Sequence, residues 1–312
     1  MNRNIRLPPL LHPPTDCALC ALRTRRHFTT LLAAGGAALL AGPALAQQQQ
    51  QIGPDSSGVQ GDVGRASRFA KLVPAEKIEA AAAQEYGQMM RAAAAQQALA
   101  PAGHPQVQRL RTIAQRLVPF SPPWNGRAPR WNWEVNLLQS PIVNAFCMPG
   151  GKIAFYLGIL TKLQLSDDEV AAIMGHEVAH ALREHARERF GKTMATQLGA
   201  GALSYALGLG GVGREVVNMG GQLLTLKFSR DDETEADIVG MDLSARAGYN
   251  PAAGVTLWQK MIAASKGAPP QFLSTHPAGD TRIRDIQAKL PKVMPLYERA
   301  VKAGKNVGPP PG

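Results

Sequence analysis

His176-Glu177-Val178-Ala179-His180 sets two imidazoles four residues apart with a carboxylate beside the first. On a helix, positions i and i+4 differ by only about 40° around the axis, so both rings project from one face, one turn apart. Neutral imidazoles in that arrangement suit a zinc ion, because the helix fixes them and little ordering entropy is lost on binding. Glu177 lies beside that face, placed to take a proton from a water that the metal acidifies to a pKa near 7. The chemistry these residues point to is metal-assisted hydrolysis. The alternative is a surface helix that carries His and Glu by accident. Gly175 and Val178 argue against it, since they set the motif inside an apolar helix.

A catalytic zinc takes three protein ligands and keeps one position open, so a third donor is needed downstream. The H-E-x-x-H-x-x-G-x-x-H pattern is excluded, because Arg183 and Ala186 stand where it needs Gly and His. His185 is nine residues beyond His176, half a turn round a continuous helix from it, and reads as a non-ligand. Glu233-Thr234-Glu235-Ala236-Asp237 is the better source. Glu233 and Asp237 share a helix face while Glu235 points away; Glu233 can complete a His₂Glu set, and Asp237 can accept the free ring N–H of a metal-bound histidine. On these residues alone, an ordinary acidic helix surface beside Asp231 and Asp232 remains the stronger reading.

The elements that position these groups are legible in part. Ser166 with Glu169 forms a capping box that starts a helix at Asp167, and its apolar face can run to about Arg189. A second long helix is expected from Glu215 to Ala247, closed by Gly248 and followed by Asn250-Pro251 as the start of the next. Upstream, Glu76 to Leu99 is rich in helix formers, and Val107, Leu110, Ile113, Ala114 and Leu117 make one helical stripe. His104 sits in the turn between them and reads as structural. Trp131, Trp133, Val135 and Leu137 alternate with polar residues as in a half-buried strand, with the tryptophans in the core. Ile142 to Met148, Pro149-Gly150-Gly151 and Lys152 to Tyr156 read as a hairpin. The uncharged stretch 194–212 is open to two readings, a buried or lid-like helix or a segment in peripheral contact with a membrane.

H-E-V-A-H, Ser229-Arg230 before E-T-E-A-D, Ser274-Thr275-His276-Pro277 and Arg282-Ile283, in this order, resemble the M48 zinc metallopeptidases. Asn144-Ala145-Phe146 and Pro149-Gly150-Gly151 before the zinc helix resemble that family too. The resemblance covers roughly Phe69 to Leu290 and is closest to a short, exported bacterial branch. It implies an α+β, mainly helical gluzincin domain with a small sheet beside the H-E-x-x-H helix. It also implies one zinc ion held by His176, His180 and Glu233, Glu177 as the base, and Asp237 supporting a ligand. By the same resemblance His276 is expected to steady an oxyanion. Asn144, Ala145 and Phe146 are expected to pair with extended substrate, and Arg282 to orient its loop or bind substrate.

At 312 residues, 45% of them hydrophobic, the chain can bury one substantial core. The segment 1–46 reads as a signal peptide: a basic start, an apolar stretch from Thr29 to Leu45, and Ala44-Leu45-Ala46 before cleavage. Arg25-Arg26 within it resembles a twin-arginine export signal. Five arginines against one aspartate there contribute +4 of the formal charge of +11 and leave +7 on the processed chain. Residues 47–68 are expected as a flexible linker, 69–300 as the peptidase domain and 301–312 as a disordered tail. Cys17 and Cys20 precede the apolar stretch, and Cys147 is then a lone thiol. Six arginines between Glu85 and Glu134 with no intervening acid suit a solvated basic face or an anionic membrane surface. The expected partners are polypeptides, not nucleic acid, in the periplasm, with unfolded or damaged envelope proteins as substrates. The rival reading is a non-catalytic, metal-stabilised envelope chaperone or binding protein.

Overall fold

A computed structural model of the chain describes residues 58–206, 223–265, 270–276 and 280–305. The expected signal segment, most of the linker, and residues 306–312 of the expected tail lie outside them, as do Cys17 and Cys20. The helices are α1 (Ala75–Ala95), α2 (Pro105–Leu117), α3 (Leu157–Lys162), α4 (Asp167–Leu182), α5 (His185–Ala206), α6 (Arg230–Arg246), α7 (Ala253–Ala264), α8 (Gln271–Thr275) and α9 (Asp280–Ala300). They surround a three-stranded sheet of β1 (Glu134–Leu138), β2 (Ala145–Met148) and β3 (Lys152–Tyr156), in the order β1-β3-β2. The class is α+β and mainly helical.

The expected hairpin forms. β2 runs antiparallel to β3, with Ala145 opposite Phe155, and the three-residue turn between them puts Gly150 and Gly151 at φ 83 and 78, where glycine has no steric cost. A side chain on Gly151 would also strike the Trp133 ring. The pattern did not foretell that β1 pairs in parallel with β3. That leaves β2 paired on one side only, an edge strand among the described residues.

α2 buries its whole stripe, Val107, Leu110, Ile113, Ala114 and Leu117, and His104 caps it by accepting from the Gln106 amide at 3.1 Å. The basic stretch is largely spent on ties between elements. Arg109 binds Asp167 Oδ1 at 2.5 Å and the Leu165 carbonyl at 2.8 Å, and Arg127 binds Glu79 at 3.0 Å and also reaches Glu184.

Five boundaries differ from expectation. The first helix stops at Ala95 rather than Leu99, with Gln97 at φ 56, and Leu99 makes a bridge to Leu138 instead. α4 stops at Leu182 rather than near Arg189, because Glu184 adopts φ 60 and breaks the ladder before α5 begins at His185. α6 starts at Arg230, because Ser229 and Asp232 form a capping box of their own; of the helix expected from Glu215, residues 215–222 lie outside the described residues and 223–229 are not helical. From Gly58 on, the expected linker packs on the domain: Val59 is 0% exposed in the main core, and Asp62 pairs with Lys289 at 2.8 Å and Lys292 at 2.6 Å. Residues 301–305 continue past α9 as a short π-helical turn. Of the stretch 194–212, residues 194–206 lie in α5 and the rest outside the described residues. No helix among the described residues is long and apolar enough to cross a membrane.

α4 and α6 cross where each has a glycine. A Cβ on Gly175 would lie 2.8 Å from the Gly240 carbonyl oxygen, and one on Gly240 would lie 2.8 Å from the His176 amide nitrogen. Ser244 fastens the crossing by donating to the Ala171 carbonyl at 3.2 Å. Both obstacles are backbone, so neither helix can yield without moving as a body. Gly240→Ala should therefore cost about 1–3 kcal/mol, read as a lower urea midpoint. A variant as stable as the parent would show that the helices part freely here.

Candidate metal centre

α4 carries His176, Glu177 and His180 in its interior, all buried. Its start is fixed by the capping box, with Ser166 Oγ accepting from the Glu169 amide at 3.3 Å and Glu169 accepting from the Ser166 amide at 2.8 Å. The helical spacing turns both histidines to one side, with their Nε2 atoms 3.0 Å apart. From α6, Glu233 faces them, with Oε2 3.5 Å from His176 Nε2 and Oε1 3.5 Å from His180 Nε2.

His276, at the end of α8, comes further in than its expected oxyanion role requires. Its Nδ1 lies 2.9 Å from Glu233 Oε1 and 3.2 Å from His176 Nε2. Donor atoms of His176, His180, Glu233 and His276 all fall within 4.8 Å of one another. Buried imidazoles with one carboxylate are a fitting donor set for a transition metal. Glu177 supplies a second test of fit: its Oε1 is buried without a hydrogen-bond partner and has His276 Nε2 at 3.4 Å. Burial pushes the Glu177 carboxyl up, which suits a group that must take up a proton.

Asp237 and Arg282 stand behind the histidines. Asp237 Oδ1 is 2.9 Å from His176 Nδ1, so this ring donates backward and turns its Nε2 to the donor cluster, where a neutral ring would offer a metal its lone pair. Arg282 donates to both Asp237 oxygens, at 2.6 and 2.7 Å, and to Glu233 Oε2 at 2.6 Å, and its guanidinium lies 3.6 Å from the centroid of the Trp258 ring. Neither expected role, orienting its loop or binding substrate, is tested by these contacts; Arg282 is buried behind the histidines and does not line the cleft beside β2. Burial opposes the charge on Asp237 and Glu233, but Arg282 and His176 hold the first low, and His276 and His176 hold the second far below the usual carboxylate range. Burial and the neighbouring His176 keep His180 neutral.

A narrow cleft of about 40 Å³ brings Asn144, and Ala145 and Phe146 of the edge strand, together with Glu177, His180 and His276. Phe228, just before α6, stacks on the His180 ring with centroids 3.9 Å apart. A larger cavity of about 350 Å³ between α6 and α9 touches Glu233 and Asp237 from the far side. It reaches neither Glu177 nor β2.

Sequence reasoning dismissed two residues that the structure brings in. His185 Nδ1 lies 2.8 Å from His180 Nδ1, and its Nε2 lies 2.8 Å from Glu235 Oε2. The break at Glu184 puts them there, and no Gly or Pro announces it.

The model of peptidase family M48 matches residues 104–290. The mitochondrial metalloendopeptidase OMA1 of Schizosaccharomyces pombe is 35% identical over 195 residues, covering 62% of this chain and 55% of that protein. The metalloprotease LoiP of Escherichia coli is 31% identical over 198 residues, covering 62% of this chain and 73% of the relative. The beta-barrel assembly-enhancing protease of Yersinia pestis is 26% identical over 198 residues, covering 60% and 40%. The matched part thus spans about half the length of the first of these.

The carboxylates predict a pH dependence for the metal-free protein. Burial and Arg282 oppose a proton on His176, yet Asp237 and Glu233 raise it from 6.5 to about 9. A pKa raised on folding stabilises the fold fully below the unfolded value and ceases to do so as pH rises through the folded one. The urea midpoint of metal-free protein should therefore fall as pH rises from 6.5 through about 9. Asp237→Asn should flatten that fall, and a level profile in the parent would contradict the assignment.

Proposed function

The chain belongs to peptidase family M48, and from that premise we propose that it is a zinc-dependent endopeptidase that hydrolyses polypeptides outside the cytoplasm. The observation that carries this reading is the meeting of three donors from two helices, His176, His180 and Glu233, beside a buried carboxylate oxygen of Glu177 that makes no hydrogen bond. Imidazole-rich donor sets suit zinc, whereas calcium and magnesium take oxygen ligands. Zinc held by His176, His180 and Glu233 would polarise a peptide carbonyl and lower the pKa of water.

The chain's own residues do the rest. Glu177 Oε1 accepts the proton from the attacking water and passes it to the leaving amine, as a general base then acid. Asp237, clamped by Arg282, holds His176 in the tautomer with its proton on Nδ1. Asn144, Ala145 and Phe146 present the free edge of β2, along which an extended peptide adds as a strand. A catalytic site needs a position for water, and a fourth protein donor would fill it. His276 is the donor that vacates it, because it stands at the end of the five-residue α8 while the others sit on the long helices α4 and α6. Released from the cluster, its ring N–H can serve the oxyanion.

The apolar, twin-arginine-like segment at the start supports export to the periplasm, and similarity to a beta-barrel assembly-enhancing protease supports envelope proteins as substrates. Unfolded or damaged chains suit an edge strand, which only extended backbone can join. The four-donor arrangement favours a second reading, a metal-stabilised binding protein without turnover.

Casein cleavage by the processed chain, with zinc measured on the same samples, separates the two. Glu177→Gln should cut casein about 10² to 10⁴ times more slowly and keep its zinc. Equal, negligible cleavage by both zinc-loaded proteins would favour the binding protein.

A further inference from the structure

His185 and Glu235 take no part in the function proposed above, yet they form a connected chain into the site. α4 ends at Leu182, Glu184 turns back at φ 60, and the reversal carries the His185 ring beneath His180. His180 Nδ1 is 2.8 Å from His185 Nδ1, His185 Nε2 is 2.8 Å from Glu235 Oε2, and Arg183 Nη2 donates to Glu235 Oε1 at 2.7 Å. His185 is 1% exposed, so water does not compete for these atoms.

Proton placement decides what the chain can do. His180 Nε2 faces His176 Nε2 and Glu233, so as a metal ligand it must present a lone pair there and carry its proton on Nδ1. His185 Nδ1 then accepts that proton's hydrogen bond, and His185 carries its own proton on Nε2, where the Glu235 carboxylate accepts. The reverse order would take from His180 Nε2 the lone pair a metal needs and leave the bare His185 Nε2 facing the Glu235 carboxylate at 2.8 Å. Only the first order both keeps that lone pair and gives Glu235 a donor.

We propose that His185, held by Glu235, is a positioning residue that fixes the tautomer and ring orientation of His180 for metal binding. It does for the second histidine what Asp237 with Arg282 does for the first. The inference rests on His180 being a metal ligand. A merely structural role, tying the α4–α5 turn to α6, would cost stability without changing metal affinity.

Zinc affinity of the full chain, measured by competition with a chromophoric chelator beside the metal-free fold by circular dichroism, tests it. His185→Leu, which removes the acceptor, should bind zinc about 10 to 100 times more weakly. His185→Asn, whose Oδ1 can stand in for Nδ1 as an acceptor, should recover most of that loss. Glu235→Gln should also weaken binding, because an amide can donate to His185 and allow the reversed proton order. Nitrogen-15 spectra of metal-free parent should show His180 protonated on Nδ1, and Glu235→Gln should show a mixture. This second readout carries the test if His185→Leu does not fold. Parental zinc affinity in folded His185→Leu, or in Glu235→Gln with an unchanged His180 tautomer, would overturn the proposal. A parent that binds no zinc would instead remove the ligand set itself.

Discussion

The backbone contact between α4 and α6 at Gly175 and Gly240 is the constraint on which the site depends. Helices with ordinary side chains at the crossing pack with axes about 8–10 Å apart, and short carboxylates on one would not reach histidines on the other. With glycine on both, the Gly240 carbonyl approaches the α4 backbone and Glu233, two turns earlier, comes within 3.5 Å of both His176 and His180. The same turn of α6 offers three carboxylates. Glu233 and Asp237 lie on the face towards the histidines, and Glu235, about 200° round from Glu233, points past the end of α4. There Arg183 and His185 meet it. One helical turn thus supplies a donor to the metal cluster and a support behind each α4 histidine.

So many desolvated charges hold together only because each has a partner. Asp237 and Glu233 share Arg282, and Glu235 has Arg183. The guanidinium of Arg282 lies on Trp258, which shields it from water and limits its movement. Removing one member of such a network leaves an uncompensated buried charge and costs more than the pair is worth. Buried ion pairs of this kind are poor sources of stability. Their value here is that ring orientations and lone pairs are set before a metal arrives.

The sequence made the chemistry legible and left the reach of its supports hidden. H-E-x-x-H fixed the α4 histidines because helical spacing alone puts them on one side, and the Ser166 box marked where that helix begins. The α2 stripe and the glycine-marked hairpin were legible for similarly local reasons. The break at Glu184 was not, since a glutamate at φ 60 has no composition signal, and a continuous helix would turn His185 away from His180. Glu235 was set aside because helical spacing turns it away from Glu233 and Asp237, and the partner it meets there, His185, is visible only once the chain has reversed. The parallel pairing of β1 with β3 also depends on contacts between distant segments. Arg282 and His276 were located by motif, but whether they face the cleft or the donors is set by tertiary packing. Phe272, whose amide bonds the Val143 carbonyl at 3.1 Å and whose ring stacks on His276, aims that histidine inward.

The cradle and its cover obey different energetics. His176, His180, Glu233 and their supports belong to two long helices locked by backbone contact, so displacing any of them disturbs the core. His276 and Phe228 belong to a five-residue helix and to the segment that precedes the α6 cap. A stacked aromatic pair contributes about 0.5–1.5 kcal/mol beyond its buried area, so Phe228 on His180 is a contact that a competing ligand can replace. Cradle and cover thus differ in what holds them: the cradle is locked by backbone contact between long helices, and the cover is held by stacked rings.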